Sequence, residues 1–120
     1  HILTHTAARI AVESFAKSAP LLYTVMADFP EAPRKRLVNR SDPAHLVVDI
    51  TPSLAQKEKA ALCHRTQHAL FIRRRSQELG CPVSVPEALM QVESLHRHLP
   101  QPDGRPDDPI AQALAEWLVL

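Results

Sequence analysis

The sequence has few aromatic residues and few cysteines. One Trp, one Tyr and three Phe occur in 120 residues, so an apolar core has to be built from Leu, Val, Ile and Ala. This length suffices for one ordinary domain. The two cysteines, Cys63 and Cys81, are too few for a disulfide framework, and we expect both to be reduced thiols in a cytoplasmic protein.

The sequence also lacks an excess of charge and long apolar runs. The net charge is +1, which argues against the electrostatic footprint of a nucleic-acid or membrane-surface binder. No apolar run approaches the roughly 18 residues that a membrane span needs, and no basic segment followed by an apolar one indicates a signal peptide. We therefore expect neither nucleic acid nor membrane as a partner. Because the chain begins with His1 rather than Met, we expect a processed chain or part of a longer one.

Hydrophobic spacing predicts an amphipathic helix near the start of the chain, over residues 4–20. Apolar side chains recur there at intervals of three and four residues, which is typical of a core-facing helix side. These residues are Ala7, Ala8, Ala11, Val12 and Phe15. Arg9 and Glu13 fall on another face, at the spacing of an i,i+4 ion pair.

Two short apolar runs predict strands. They cover residues 21–26 and 45–50, and their length and flanking residues favour strand over helix. Residues 31–44 between them are polar and basic with two prolines, which predicts a surface loop.

The second half of the sequence is predominantly helical by pattern. Thr51-Pro52 is a strong helix start, and nothing interrupts the pattern from Ser53 to about Leu79, before Gly80. Two further helices are predicted, one beginning near Pro86 and one over residues 110–120. The fold class is therefore α/β, with two strands, a long helix and shorter helices. Since two strands do not make a stable sheet, we expect other strands of the domain to lie elsewhere.

Histidine pairs are the first candidates for metal ligands. His64 and His68 have the i,i+4 spacing of a zinc-binding helix, but Arg65 stands where metalloproteases of that design have glutamate, so we favour a structural role. His96 and His98 are two residues apart and do not share a helix face, so we expect surface positions for both.

Other polar residues near these pairs favour ordinary structural roles. Glu93 and Arg97 are spaced as an i,i+4 ion pair on a helix. The run Arg73–Arg75 and the basic residues of the loop are compatible with phosphate binding. The near-neutral net charge of the chain instead favours a solvated surface. Cys63 is expected to be buried in the long helix, and Cys81 to lie in a loop.

The start of the chain and the long helix resemble one known family. HILTHTAARIA resembles the segment that carries the last zinc ligand in PIG-L/LmbE-like N-deacetylases. The residues that follow the second strand resemble that family's signature Lys-x-x-Ala-x-x-x-His-x-(Ser/Thr)-Gln. The matching residues are Lys57, Ala60 (or Ala61), His64, Thr66 and Gln67. VESLHRH resembles a later Glu-x-Phe stretch, with Leu95 in place of phenylalanine, so the resemblance covers nearly the whole chain in order.

This resemblance implies a zinc-dependent hydrolase that removes the N-acetyl group from an N-acetylglucosamine-type conjugate. Residues 1–120 would be the C-terminal portion of a Rossmann-like, LmbE-like domain. His1 would be the zinc ligand, and His5 a helix-start residue. The family's Pro-His-Pro-Asp-Asp loop, with two zinc ligands and the catalytic aspartate, does not occur in this sequence. We therefore assign no catalytic residue and expect the chain to be inactive alone; the alternatives are a non-catalytic homologue and a basic binding module.

Overall fold

The computed structural model describes residues 2–15, 20–34 and 37–119, with the side chain of Ile2 excepted. The described chain is mixed α/β, which confirms the predicted class in its coarse form. Its strands are β1 (Leu22–Val25), β2 (Ala27–Asp28), β3 (Asn39–Pro43), β4 (Leu46–Asp49) and β5 (Val92–Leu99). Its helices are α1 (Ile2–Glu13), α2 (Leu54–Cys63), α3 (His68–Leu79), α4 (Val85–Ala88) and α5 (Pro109–Ala113).

The chain divides into two compact units. We call His1–Val48 with Glu93–Leu120 the sheet unit, and Asp49–Val92 the helical unit. No helix among the described residues combines the length and the apolar composition that crossing a bilayer requires.

A three-stranded sheet in the order β1-β5-β4 organises the sheet unit. β1 and β5 are antiparallel, with Tyr23 opposite Arg97 and Thr24 opposite His96. Both strands predicted from the apolar runs are confirmed as β1 and β4. The central strand β5 was not predicted: a helix was expected there, and only the four-residue α4 forms. Sheets of Rossmann-like folds are mostly parallel, so the Rossmann-like assignment stays a prediction.

A second, two-stranded sheet pairs β2 with β3 in parallel. Met26 connects β1 to β2 with a positive φ of 64°, and its carbonyl accepts a hydrogen bond from the Asn39 backbone N–H at 2.7 Å. The prediction of a loop throughout residues 31–44 is therefore wrong for β3. Its residues Asn39–Pro43 are polar and mostly exposed, so they carry no hydrophobic alternation that would have indicated a strand.

The core of the sheet unit is centred on β4, whose residues Leu46, Val47 and Val48 are all buried. Ala27 is also fully buried, and its carbonyl accepts a hydrogen bond from Ser94 Oγ at 2.7 Å. After α5 the chain runs beside β4, where the backbone N–H of Val119 donates to the Val47 carbonyl at 2.8 Å. This contact covers part of a strand edge that would otherwise offer unpaired backbone groups.

One face of the sheet is fastened to α5 through Asp108. Its Oδ1 accepts hydrogen bonds from the backbone N–H groups of Ile110 and Ala111, which caps the helix. Its Oδ2 accepts from the Tyr23 hydroxyl at 2.6 Å and from Arg97 Nη1 at 2.9 Å. A single buried carboxylate therefore ties β1, β5 and α5 together.

The helix α1 confirms the predicted helix and its ion pair, since Arg9 Nε lies 3.1 Å from Glu13 Oε1. The predicted core-facing side is wrong. Four of its five apolar residues are exposed, and Val12 is half-buried; the exposed ones are Ala7, Ala8, Ala11 and Phe15. The apolar stripe of α1 is therefore not what holds this helix to the sheet unit.

In the helical unit, the predicted unbroken helix is wrong because α2 ends at Cys63 and α3 begins at His68. His64 leaves helical geometry with ψ at 62°, and a turn follows in which the backbone N–H of Gln67 donates to the His64 carbonyl at 2.8 Å. Residues 64–67 contain neither Gly nor Pro, so the usual sequence signal of a break is missing. Gly80 ends α3 in the left-handed conformation, as predicted, with φ at 69°.

Candidate metal centre

The strand β5 places two histidines on one face of the sheet. Side chains two residues apart point the same way in a strand, so the separation that argued against a shared helix face brings His96 and His98 together. Their ring centroids lie 4.4 Å apart. Both residues are partly buried, and only 8% of the His98 side chain is exposed, so the expectation of plain surface histidines is wrong.

The strand also corrects the ion pair predicted from helical spacing. Arg97 points to the opposite face from the two histidines and pairs with Asp108 at 2.9 Å. Because Glu93 and Arg97 both belong to β5, the i,i+4 geometry of a helix does not apply to them.

His5, Asp42 and His98 form a group that could hold a metal ion. Each offers one ligand atom, and these atoms lie within 4.8 Å of one another. The three residues come from three elements, α1, β3 and β5. Asp42 Oδ2 lies 3.5 Å from His98 Nε2, and about one tenth of each of these two side chains is exposed. The His5 ring meets the His98 ring edge-on, with the centroids 5.1 Å apart.

Neighbouring polar groups fix the orientation of the carboxylate and of one imidazole. Asn39 Nδ2 donates to Asp42 Oδ2 at 2.6 Å. The Thr24 hydroxyl bridges the pair, since its Oγ1 donates to Asp42 Oδ2 at 3.5 Å and lies 3.0 Å from His98 Nε2. These contacts hold the Asp42 carboxylate and the His98 imidazole side by side.

The environment keeps His98 in the form that binds metals. Burial lowers the pKa of His98, and the neighbouring His96 lowers it further, while the carboxylate of Asp42 acts in the opposite direction. The net shift is downward, so the imidazole is neutral at neutral pH. Metal ions bind neutral imidazole, and fewer protons therefore compete with a cation at this site.

Two more histidines lie beside the group, and a backbone partner fixes the hydrogen-bond role of Nδ1 in each. His96 Nδ1 is 2.7 Å from the Pro43 carbonyl, and since a carbonyl only accepts, this nitrogen is the donor. His45 Nδ1 accepts from the backbone N–H of Arg97 at 3.0 Å. Burial, and then the charges of His96 and Arg97, lower the pKa of His45, which keeps it neutral with its proton on Nε2.

Two cavities adjoin the group, and α1 lines both. One, of about 590 Å³, is lined by His5, Thr24 and Asp42, among others. The other, of about 530 Å³, is lined by Glu13 and by the imidazoles of the β5 face, among others. Arg9 borders both cavities. The residues that α1 contributes are His5, Arg9 and Glu13, four residues apart and thus on one helix face. The polar side of α1, rather than its apolar side, is turned toward the sheet.

The predicted site residues are distributed differently from the expectation. His1, the predicted zinc ligand, lies outside the described residues, and that assignment stays a prediction. His5, predicted to be a helix-start residue, belongs to the candidate group. Asp42 had no signal in the sequence, because an aspartate before proline in a polar stretch is typical of a turn.

The residues of the family-like signature lie in the helical unit, whereas the candidate group lies in the sheet unit. Lys57 Nζ donates to the Met90 carbonyl at 3.0 Å. His64 and Gln67 are exposed at the turn between α2 and α3.

The remaining candidates of the helical unit are at its surface. Cys63, expected to be buried, is exposed because α2 ends there, and Cys81 is exposed as well. Arg73 and Arg74 are exposed, as expected for a solvated surface, and Arg75 pairs with Glu78 at 3.2 Å.

Comparisons of this chain with protein-family models, with curated proteins and with solved structures found no match.

Proposed function

We propose that this chain binds one zinc ion through His5, Asp42 and His98 and is part of a zinc-dependent hydrolase. The observation that carries the proposal is the approach of two imidazoles and one carboxylate, with all three ligand atoms within 4.8 Å. Three protein ligands and an open position are typical of catalytic zinc sites, and nitrogen and carboxylate donors are common in them.

One distance within the group fits a tetrahedral zinc site. Zinc about 2.0–2.1 Å from each ligand separates two tetrahedral ligand atoms by about 3.4 Å. The separation of 3.5 Å between Asp42 Oδ2 and His98 Nε2 matches this value. His5, whose ligand atom lies within 4.8 Å of the other two, would supply the third donor.

A zinc ion held here would polarise a bound water and the carbonyl of a substrate. The residues of the chain prepare the site for that role. Asn39 holds the Asp42 carboxylate, and burial keeps the His98 imidazole neutral. The adjoining cavity places His45 and His96 beside the site, one with a proton to donate at Nε2 and the other with its Nδ1 bound to a carbonyl.

For the reaction, we propose removal of an N-acetyl group from an N-acetylglucosamine-type conjugate. This step is supported by the sequence resemblance to PIG-L/LmbE-like N-deacetylases in the segments that contain His1 and His64. The resemblance assigns the zinc ligand to His1 and not to His5, so it supports the reaction but not this set of ligands. The same resemblance supports a Rossmann-like parent domain. The two free cysteines support a cytoplasmic location. Since the catalytic aspartate loop of the family does not occur in this sequence, we expect this chain to bind zinc without hydrolysing the substrate by itself.

Metal analysis after equilibrium dialysis tests the proposal. The chain should retain one zinc ion per molecule, and Asp42→Ala should retain much less. The matched control Asp103→Ala, at an exposed position, should retain as much as the parent chain. Absence of bound zinc in the parent chain would contradict the proposal, and release of acetate from an N-acetylglucosaminyl substrate above the level of zinc alone would contradict the expected inactivity.

A further inference from the structure

The helix α1 contributes His5 to the candidate metal group, and few of its described side chains are buried against the rest of the sheet unit. Of its described side chains, residues 3–13, only those of His5 and Val12 are half-buried. The apolar side chains of Leu3 and Ile10 are 85% and 62% exposed. Since burial of apolar surface is the main source of docking energy, the described side chains of α1 gain little of it from the rest of the sheet unit.

The ion pair on α1 adds little to this attachment. Arg9 and Glu13 pair within the helix, and about half of each side chain is exposed. Exposed pairs of this type contribute only about 0.3–0.5 kcal/mol. A helix of 12 residues is also marginal without tertiary support, because isolated helices shorter than about 12–15 residues are barely stable in water.

The other two ligands are set in a firm frame. Asp42 is buried in β3 and held by Asn39, and His98 lies in the central strand of the sheet. His5 is therefore the ligand whose position depends on the docking of a weakly attached helix. An ion bound by all three residues would connect α1 to β3 and β5.

We propose that α1 is a metal-dependent lid. It closes on the sheet when an ion joins His5 to Asp42 and His98, and it opens when the ion leaves. This inference rests on the proposed function for the presence of zinc. Because His5, Arg9 and Glu13 form walls of the two cavities, opening of α1 exposes both cavities together with the ligands of the sheet.

The thermodynamic linkage between ion binding and closure of α1 gives the expected size of the change in protection. An ion that binds only the closed form favours that form by a factor of one plus the ratio of free ion to Kd. At a zinc concentration of about 100 times Kd, the protection of α1 amides against hydrogen exchange should rise by up to about 100-fold. The rise is smaller to the extent that Asp42 and His98 still hold the ion when α1 is open.

Hydrogen exchange followed by mass spectrometry on the full chain tests the lid, with zinc or with a chelator. Peptides from α1 should gain protection with zinc, and this gain should be lost in His5→Ala. In that variant the peptides of β5 should still gain protection against exchange when the zinc concentration is high enough to saturate the site formed by the two remaining ligands. His64→Ala, which changes an exposed histidine of the helical unit, should behave as the parent chain.

The outcomes separate the lid from the metal site. Zinc binding, measured on the same sample by calorimetry, without a gain of protection in α1 would overturn the lid and leave the proposed function standing. A gain in α1 that persists in His5→Ala would also overturn the lid. Absence of zinc binding would overturn both.

Discussion

Replacing Asp108 with alanine should lower the free energy of unfolding by about 4 kcal/mol. Its Oδ1 caps α5 through two backbone N–H groups, and loss of such a cap costs about 1 kcal/mol. Its Oδ2 binds the Tyr23 hydroxyl and Arg97 Nη1. Only 12% of the Arg97 side chain is exposed, and removing one partner of a buried ion pair costs about 3–5 kcal/mol. These losses share one carboxylate, so we do not expect them to add fully.

Urea denaturation followed by circular dichroism measures this loss. The control Asp103→Ala alters an exposed residue of the preceding loop and should change the unfolding free energy by less than about 0.5 kcal/mol. If Asp108→Ala also falls within that range, the carboxylate does not join the two strands to α5 in the way described.

The single tyrosine of the sequence gives a second readout of the same cluster. Burial, and then the hydrogen bond to Asp108, raise the pKa of Tyr23 to about 12. Because the folded state favours the neutral phenol, the stability from this group is present below the ordinary pKa of about 10 and is lost as the pH rises toward 12. Absorbance at the tyrosinate band should show the raised pKa. In Asp108→Asn it should fall but stay above 10, since burial remains; titration near 10 in the folded parent chain would refute the reasoning.

Three further predictions concern other parts of the chain. Burial lowers the pKa of His45 and His98 below the ordinary 6.5, so the unfolded chain binds more protons below that pH. The urea concentration at the midpoint of unfolding should therefore decrease when the pH is lowered from about 7.5 to about 5. Equal midpoints at the two pH values would contradict these shifts. Gly80→Ala should cost about 1 kcal/mol in thermal or urea unfolding from φ strain alone, since a Cβ there meets no atom within 4 Å; an unchanged midpoint would argue against the left-handed conformation. Ser94→Ala should cost about 1–2 kcal/mol by leaving the buried Ala27 carbonyl without its bond, and a neutral effect in urea would argue against that contact.

Much of the local structure could be predicted from the sequence, because local signals carried it. The apolar runs marked β1 and β4, the spacing of Arg9 and Glu13 marked a helix with its ion pair, and Gly80 marked a helix end. In each case the determining feature lies within a few residues of the element that it specifies.

The sheet and the metal group could not be predicted in the same way, because they depend on tertiary contacts. β5 lacks regular hydrophobic alternation but becomes the central strand, since β1 and β4 pair with it on either side. Once residues 92–99 are taken as a helix, His96 and His98 are separated and Asp42 has no reason to approach them. The orientation of α1 was missed for a related reason: periodicity identifies an apolar side but does not determine which side packs.

Calorimetric titration of zinc into the parent chain and into His98→Ala tests the central claim most directly. We expect one zinc ion per parent molecule, a loss of affinity of at least about 100-fold in His98→Ala, and parent-like binding in the control His64→Ala. Parent and His98→Ala chains that bind zinc equally, or a parent chain that binds none, would contradict a metal centre formed by His5, Asp42 and His98.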